Sequence, residues 1–194
     1  MSKFEEMDNY REIFLIQQIY TTIFSLTNKM QVHEAKYFDK LSSRQLMAIM
    51  AIYHLPEGKA TLNNIAKKLG TTKQSVKQII TILENKGYVI TMPSESDKRA
   101  VNVSVTEAGR EATIESGKKS TYFFAELSKS LTREEMEILW MLLKKMYRFD
   151  GEEMDGFEEN ANANIGIEEK KLEKENEKLL KEFGRIRNGG NKNE

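Results

Sequence analysis

Apolar residues recur at intervals of three and four along most of the chain, and this spacing predicts a mainly helical protein. The first such stretch, residues 5–31, contains neither proline nor glycine and predicts one long amphipathic helix with a wide aromatic stripe. A second helix is predicted to begin at Ser42 or Ser43, since either hydroxyl suits the N-cap position. It ends at the Pro-Glu-Gly turn of residues 56–58.

Two short helices are predicted to follow in quick succession. The first covers residues 61–69 and ends at Gly70, a residue type favoured just past a helix end. The second covers residues 71–86. Their inward faces carry Leu62, Ile65, Ala66 and Leu69 on the first helix, and Val76, Ile79, Ile80 and Leu83 on the second. Two short helices joined by a tight turn that contains glycine predict a helix-turn-helix.

A β-hairpin is predicted after the second of these helices. Residues 88–92 are rich in β-forming side chains, and residues 101–105 alternate between apolar and polar. The eight residues between them are polar and charged, so the hairpin has a long charged tip. The whole hairpin, with this tip, is here called the wing. Thr106 then suits the N-cap of a helix that runs to about Ser130.

The end of the chain divides into a helix and a tail. Thr132 and Glu135 are spaced as a capping box and predict a helix over 132–148, apolar around so much of its circumference that something outside its own domain should cover one side. Residues 150–164 are acidic and predict a flexible linker. Four apolar residues then recur every seven positions: Ile165, Leu172, Leu179 and Ile186. They form a weak coiled-coil seam, for which a solvated amphipathic helix or a disordered tail is the alternative.

The charge distribution changes the meaning of the net charge. The 194 residues carry 30 basic and 30 acidic side chains, so the formal net charge is zero. Residues 1–149 hold 22 basic and 17 acidic residues, whereas 150–194 hold 8 and 13. The window Lys59–Arg99 alone has eight basic and three acidic residues, all of the excess of the globular part. Such a local excess is typical of a surface that binds a phosphate backbone, although exposed lysines often have no partner.

Composition excludes several classes of protein. Without cysteine, disulfides, thiolate metal sites, cysteine nucleophiles and thiol redox switches are impossible. With only His33 and His54, zinc binding is not expected, and neither a metal nor a cofactor is predicted. A phosphate-binding glycine loop and a catalytic constellation are missing, so we do not expect an enzyme. No apolar run could span a membrane and the first residues do not fit a signal peptide, so a cytoplasmic location is expected.

The order of these elements resembles the MarR family of winged-helix transcriptional regulators. The segments that carry the resemblance are Leu41–Gln45, Leu62–Gly70, Leu83–Val89, Asp97–Arg99 and Thr106–Gly109. The resemblance covers residues 1–149 and implies a mainly α fold with a small β-hairpin wing, a DNA-binding part at 42–105, and dimerisation through the helices at 5–31 and 132–148. It says nothing about residues 150–194.

Candidate DNA-binding side chains lie on the second helix of the helix-turn-helix and in the wing. Lysine and glutamine pair with guanine and adenine edges in the major groove, and short hydroxyls suit phosphates. The predicted set on the helix is Thr71, Thr72, Lys73, Gln74, Ser75, Lys77, Gln78 and Thr81. For the wing, the resemblance implies that Arg99 enters the minor groove and that Asp97 stabilises the tip, while Lys98 suits a phosphate. A simple exposed turn is the alternative.

The predicted partners are double-stranded DNA with a pseudo-palindromic operator, a second copy of the chain, and a small effector. The resemblance implies release from DNA by a phenolic or aromatic ligand. The residues predicted to line its crevice are Tyr10, Phe14, Tyr37, Phe38, Tyr53, His54 and Tyr122, and the alternative for each is a place in the core. The function expected is that of a dimeric, ligand-responsive repressor. The alternative is a winged-helix module for protein–protein contact whose tail docks a partner.

Overall fold

A computed structural model of the chain describes residues 3–93, 101–151 and 169–188. The helices and strands run in the order α1 Lys3–Glu34, α2 Ser43–His54, α3 Leu62–Lys68, α4 Lys73–Asn85, β1 Val89–Pro93, β2 Val101–Val105, α5 Glu107–Ser128, α6 Arg133–Tyr147, a 3-10 turn Arg148–Asp150, and α7 Glu169–Arg187. The chain divides into two units between residues 36 and 37. The fold is mainly helical, with one antiparallel hairpin, as the sequence predicts.

The first unit is the single helix α1. At 1.5 Å per residue its 32 residues span about 48 Å. Between Met7 and Leu26 its large apolar side chains are exposed, among them Tyr10 at 75%, Tyr20 at 70% and Phe24 at 63%. A helix with this much exposed apolar surface is not the buried core of a unit.

The core of the second unit lies between α2, α3, α4 and the hairpin. Ala48 and Ala51 of α2 are fully buried, and such small side chains let neighbouring helices approach closely. Ile65 of α3 and Leu83 of α4 are also fully buried. The apolar faces predicted for α2, α3 and α4 are the faces that pack inward, and therefore the polar face of α4 is left on the surface.

The hairpin joins this core through β2. Val89 pairs with Val105 and Pro93 with Val101 in antiparallel register. The backbone N–H of Val103 donates to the Ala60 carbonyl at 2.9 Å, so the segment before α3 is fastened to the hairpin. Val89 and Val103 direct their side chains into the core.

Several predicted boundaries needed correction. Helix α1 continues to Glu34 rather than ending near residue 31, because no proline or glycine interrupts it before Tyr37. Strand β1 lies one residue later than predicted, since the Tyr88 N–H still bonds to the Leu83 carbonyl at the end of α4. Helix α5 ends at Ser128 and α6 covers 133–147. Of the tail, residues 169–187 are helical. The predicted linker spans 150–164: Asp150 belongs to the 3-10 turn, and residues 152–164 lie outside the described residues.

Candidate nucleic-acid interface

A tight turn sets α4 against α3. Gly70 adopts a φ of +60°, a conformation that side chains rarely tolerate, and its N–H donates to the Lys67 carbonyl at 3.1 Å. The N–H of Thr71 donates to the Ala66 carbonyl at 3.0 Å, which closes the end of α3. Thr72 then caps α4 by accepting the Ser75 N–H at 3.1 Å. Four residues thus complete the turn of the predicted helix-turn-helix.

The outward face of α4 carries the predicted contact residues. Those exposed to solvent are Thr71, Thr72, Lys73, Gln74, Lys77, Gln78 and Thr81. Ser75 is half-buried, and its hydroxyl lies 2.9 Å from that of Thr72. The Thr81 hydroxyl donates to the Lys77 carbonyl at 2.9 Å. The lysine and glutamine side chains are therefore the exposed groups with donors directed away from the helix backbone, while the hydroxyls of Thr72, Ser75 and Thr81 already make local hydrogen bonds.

The N-terminal end of α4 has an unusual charge. Its first turn holds no acidic residue, and Lys73 occupies the first helical position. A cation there opposes the helix dipole and costs a few tenths of a kcal/mol. Free backbone N–H groups and a lysine at the same helix end form a local site for an anion, because both favour negative charge. The arrangement suits a phosphate.

The C-terminal end of α4 is fastened to the start of α2. The Lys86 ammonium donates to the Lys40 carbonyl at 2.9 Å and to Gln45 Oε1 at 3.1 Å. Gln45 in turn accepts the Ser42 N–H at 3.2 Å and completes the capping box of α2. Lys86 is one of the eight basic residues of the window Lys59–Arg99, and these contacts give it a structural role. Its role depends on a contact across 46 residues, which no local pattern predicts.

The hairpin is fastened to α4 and to α5. The Thr91 hydroxyl donates to Glu84 of α4 at 2.6 Å. Thr106 caps α5 by accepting the Gly109 N–H at 3.1 Å, and its hydroxyl donates to the Gly87 carbonyl at 2.6 Å. Gly109 lies so close to the backbone that a Cβ there would overlap the carbonyl oxygen of Tyr88. These contacts set the base of the wing beside α4.

The wing tip lies outside the described residues. Asp97, Lys98 and Arg99 belong to residues 94–100, so their predicted roles in the minor groove, at a phosphate and at the tip remain predictions. The two described strands emerge beside the C-terminal half of α4, because Thr91 bonds to Glu84. The structure therefore supports the predicted hairpin and the position of its base beside α4.

The predicted ligand-crevice residues have varied surroundings. Phe38 and Tyr53 pack against the main core, and burial raises the pKa of the Tyr53 phenol above its ordinary value. His54 Nδ1 lies 2.8 Å from the Met50 carbonyl. The Tyr37 ring stacks at an angle on Phe123, with centroids 5.8 Å apart. Exposed side chains complete the set: Tyr122 on α5, and Tyr10 and Phe14 on α1. The crevice remains a prediction.

Other kinds of site find little support in the described ranges. Over residues 3–93, 101–151 and 169–188, no group of three or more His, Asp or Glu side chains is arranged to bind a metal ion. Within the same ranges, no helix has both the length and the apolar character needed to cross a bilayer. Within these ranges, the exposed face of α4, with its lysine and glutamine side chains, is the candidate functional surface.

A helix-turn-helix followed at once by an antiparallel hairpin defines a winged-helix protein. Residues 40–100 match the model of the MarR family. This segment, about a third of the chain, is what is similar to that family. The match begins just before α2 and ends with the wing, so it covers the elements that position the exposed face of α4.

One sequence relative and two solved structures are also similar to this chain. The chain is 27% identical, over 106 residues, to an uncharacterized HTH-type transcriptional regulator of Bacillus subtilis, YdgJ, and the match covers 55% of this chain and 63% of that protein. The S. aureus MepR–DNA complex superimposes with a TM-score of 0.54 at 22% identity, covering 69% of this chain and 94% of that one. Bordetella bronchiseptica BpsR, described with regulation of its DNA binding by 6-hydroxynicotinic acid, gives a TM-score of 0.60 at 18% identity, with 67% and 98% covered. These structural likenesses establish the fold.

Proposed function

We propose that this chain is a sequence-specific transcriptional regulator that binds double-stranded DNA in the major groove through α4. The observation that carries the proposal is the exposed α4 face, with Lys73, Gln74, Lys77 and Gln78 on a helix held firmly at both ends. A helix held in this way presents its donors in one geometry, which direct contact with base edges requires. The wing base beside α4 supports a second contact in the adjacent minor groove.

The test is DNA binding by a Lys73→Gln/Lys77→Gln variant. Genome-wide pull-down with the purified protein first identifies the bound promoters, and fluorescence anisotropy then measures affinity over a range of salt concentrations. We expect the variant to lose affinity by about tenfold or more, and the slope of log K against log salt to fall by about one for each lysine that contacts a phosphate.

The matched control is Lys178→Gln/Lys181→Gln, which removes the same charge from exposed positions on α7. It should change affinity little. If the α4 variant and the control bind equally well, α4 does not contact DNA, and the protein-binding alternative for the winged helix takes its place.

We further propose that the regulator acts in the cytoplasm as a dimer formed through α1 and α6. The exposed apolar residues of α6 include Ile138, Trp140, Met141 and Leu142, between 49% and 59% exposed. Contiguous exposed apolar surface of this kind marks a protein interface. Two copies would present two α4 helices to half-sites about one helical turn apart, so the operator is a pseudo-palindrome.

Finally, we propose that a small aromatic or phenolic effector releases the protein from DNA, so that the protein is a repressor. The half-buried aromatic residues near the main core, Phe38 and Tyr53, support this proposal, because flat apolar ligands bind among aromatic side chains. BpsR, a structural neighbour described with regulation of its DNA binding by 6-hydroxynicotinic acid, adds a precedent for an aromatic acid. Titrating the protein–operator complex with benzoates and phenols tests the proposal, and an affinity that no member of the panel changes would contradict it.

A further inference from the structure

Helix α7 lies outside the segment that matches the family and has no role in the proposed contact with DNA. Its described side chains divide sharply between two faces. Those that are partly buried are Leu179, Glu182, Phe183, Gly184, Ile186 and Arg187, and those that are exposed are Glu177, Lys178, Leu180, Lys181 and Arg185. Apart from Gly184, spacing of three and four among the partly buried residues places them on one face. The helix therefore lies along another part of the chain.

That part of the chain is α5, the helix against which α7 mainly packs. In its C-terminal half, Phe123 and Ala125 are buried although neither belongs to the main core. Ala125 is fully buried, and Thr121 precedes it by four residues, or about one helical turn. Small side chains at this spacing let a second helix approach closely. The outer surface of α5 is thus suited to a helix such as α7.

The last turn of α7 contacts the turn between α5 and α6. The Arg187 guanidinium donates from Nη2 to the Leu131 carbonyl at 2.7 Å. Its Nε is also buried, with no hydrogen-bond partner among the described residues, so the Leu131 carbonyl is the contact that holds the group. Its charge also acts on the first turn of α6. There a backbone hydrogen bond and the Thr132 hydroxyl hold the pKa of Glu134 below its ordinary value, and the positive charge of Arg187 adds to this effect.

We propose that α7 is an intramolecular clamp on the corner between α5 and α6. Phe183 and its neighbours anchor α7 along α5, and Arg187 holds the carbonyl of the connecting turn, so that the direction of α6 is fixed within one chain. Because α6 is the helix assigned above to dimerisation, the clamp determines how its apolar face meets a second copy. That last consequence rests on the proposed function, whereas the clamp itself does not.

Hydrogen exchange of the full-length protein tests the clamp without DNA. We expect Phe183→Ser and Arg187→Met each to speed amide exchange over residues 128–136 by about tenfold, because release of the turn permits local opening. The matched controls are Leu180→Ser and Arg185→Met, which alter exposed residues of the same helix and should leave exchange at 128–136 unchanged. Unchanged exchange at 128–136 in both test variants would overturn the proposal. Arg187→Met removes only the polar contact, so it separates the clamp from a packing defect.

Paired spin labels test whether the clamp is formed within one chain. Because the protein has no cysteine, Glu126→Cys on α5 and Lys181→Cys on α7 provide two unique attachment sites, both exposed. We expect one short label-to-label distance that persists when the doubly labelled chain is mixed with a large excess of unlabelled chain. Loss of that distance on mixing would show that α7 docks on the partner's α5 and would overturn the proposal. A broad distribution of long distances would overturn it as well.

Discussion

Helices α4 and α6 are both amphipathic, but only α4 has its apolar face buried. In α4 the apolar residues Val76, Ile80 and Leu83 are buried and the polar side is exposed. In α6 no residue is buried, and Trp140 is 52% exposed. The apolar face of α4 is covered, whereas exposed apolar surface such as that of α6 is typical of protein interfaces. The difference separates a helix whose apolar face is covered within one copy from a helix whose apolar face is exposed.

The largest effect should come from the core beneath α4. Leu83→Ala removes a fully buried side chain, so we expect the free energy of unfolding to fall by about 2–5 kcal/mol. Denaturation in urea measures it. The companion variant Leu142→Ala shortens a leucine of α6 that is 49% exposed and should cost the monomer far less. Equal losses would show that the two helices do not differ as described.

The joint between the hairpin and α5 should be nearly as sensitive. Gly109→Ala places a Cβ against the Tyr88 carbonyl and 2.9 Å from Val105 Cγ1, so we expect a loss of about 1–3 kcal/mol. Gly117→Ala on the same helix meets nothing within 4 Å and should raise stability by a few tenths of a kcal/mol or more, since alanine favours helix. A thermal melt of both variants decides the matter: similar midpoints would mean that α5 does not approach Tyr88 so closely.

For α6, the expected effect is on association. Trp140→Ala should weaken the proposed dimer by about 1–3 kcal/mol, or roughly tenfold or more in dissociation constant, because buried aromatic side chains dominate interfaces. Analytical ultracentrifugation over a concentration series measures the shift. Leu180→Ala changes an exposed leucine of α7 and serves as the control. A wild-type protein that remains monomeric throughout would contradict the assignment of α6.

The smallest effect concerns the ion pairs that connect residues 39–40 to α5. Lys119 lies 2.8 Å from Asp39, and its hydrogen bond is the main cause of the lowered pKa of that carboxyl. Lys40 lies 2.6 Å from Glu115 and likewise lowers the pKa of Glu115. A lowered pKa in the folded state stabilises above the unfolded value, near pH 4, and this contribution is lost as pH falls through the folded value.

Asp39→Asn should therefore reduce stability slightly at pH 7, and the difference from wild type should disappear in acid. These groups are exposed, so the effect is small and should shrink with added salt. Urea denaturation at several pH values measures it, with Glu57→Gln as a charge-matched control in an exposed turn. A difference that persists unchanged below about pH 3 would mean that Asp39 does not act through its charge.

Local signals explain how much of this structure the sequence predicts. The caps at Thr106 and at Thr132 with Glu135 depend on neighbours within a few positions and are found as predicted. Residues 101–105 form the predicted strand, but burial does not alternate along it, since Val101 is exposed and Ser104 is half-buried. The outward face of α4 follows from the helical period alone. By contrast, the Lys86 contact with Lys40 joins residues far apart in sequence.

The tail shows the same limit. A repeat of seven identifies Leu179 and Ile186 as an apolar seam, and Phe183 lies on the same face. The period cannot specify the partner, because a single sequence does not distinguish pairing with another copy from packing within the chain. The structure shows α7 packed against α5 of its own chain. The close contact between Gly109 and the Tyr88 carbonyl could not be predicted either, since a glycine in a helical sequence does not indicate which residue packs against it.

The exposed stripe of α1 also has a consequence for biosynthesis. Because α1 precedes every other helix, the ribosome releases this apolar surface before any of the winged helix has been made. In the dimer proposed above, the partner surface on α6 is complete only at Tyr147, 113 residues after Glu34. Nascent chains emerging side by side from one messenger RNA would shorten that interval, so we expect the proposed dimer to form preferentially between copies made on the same polysome.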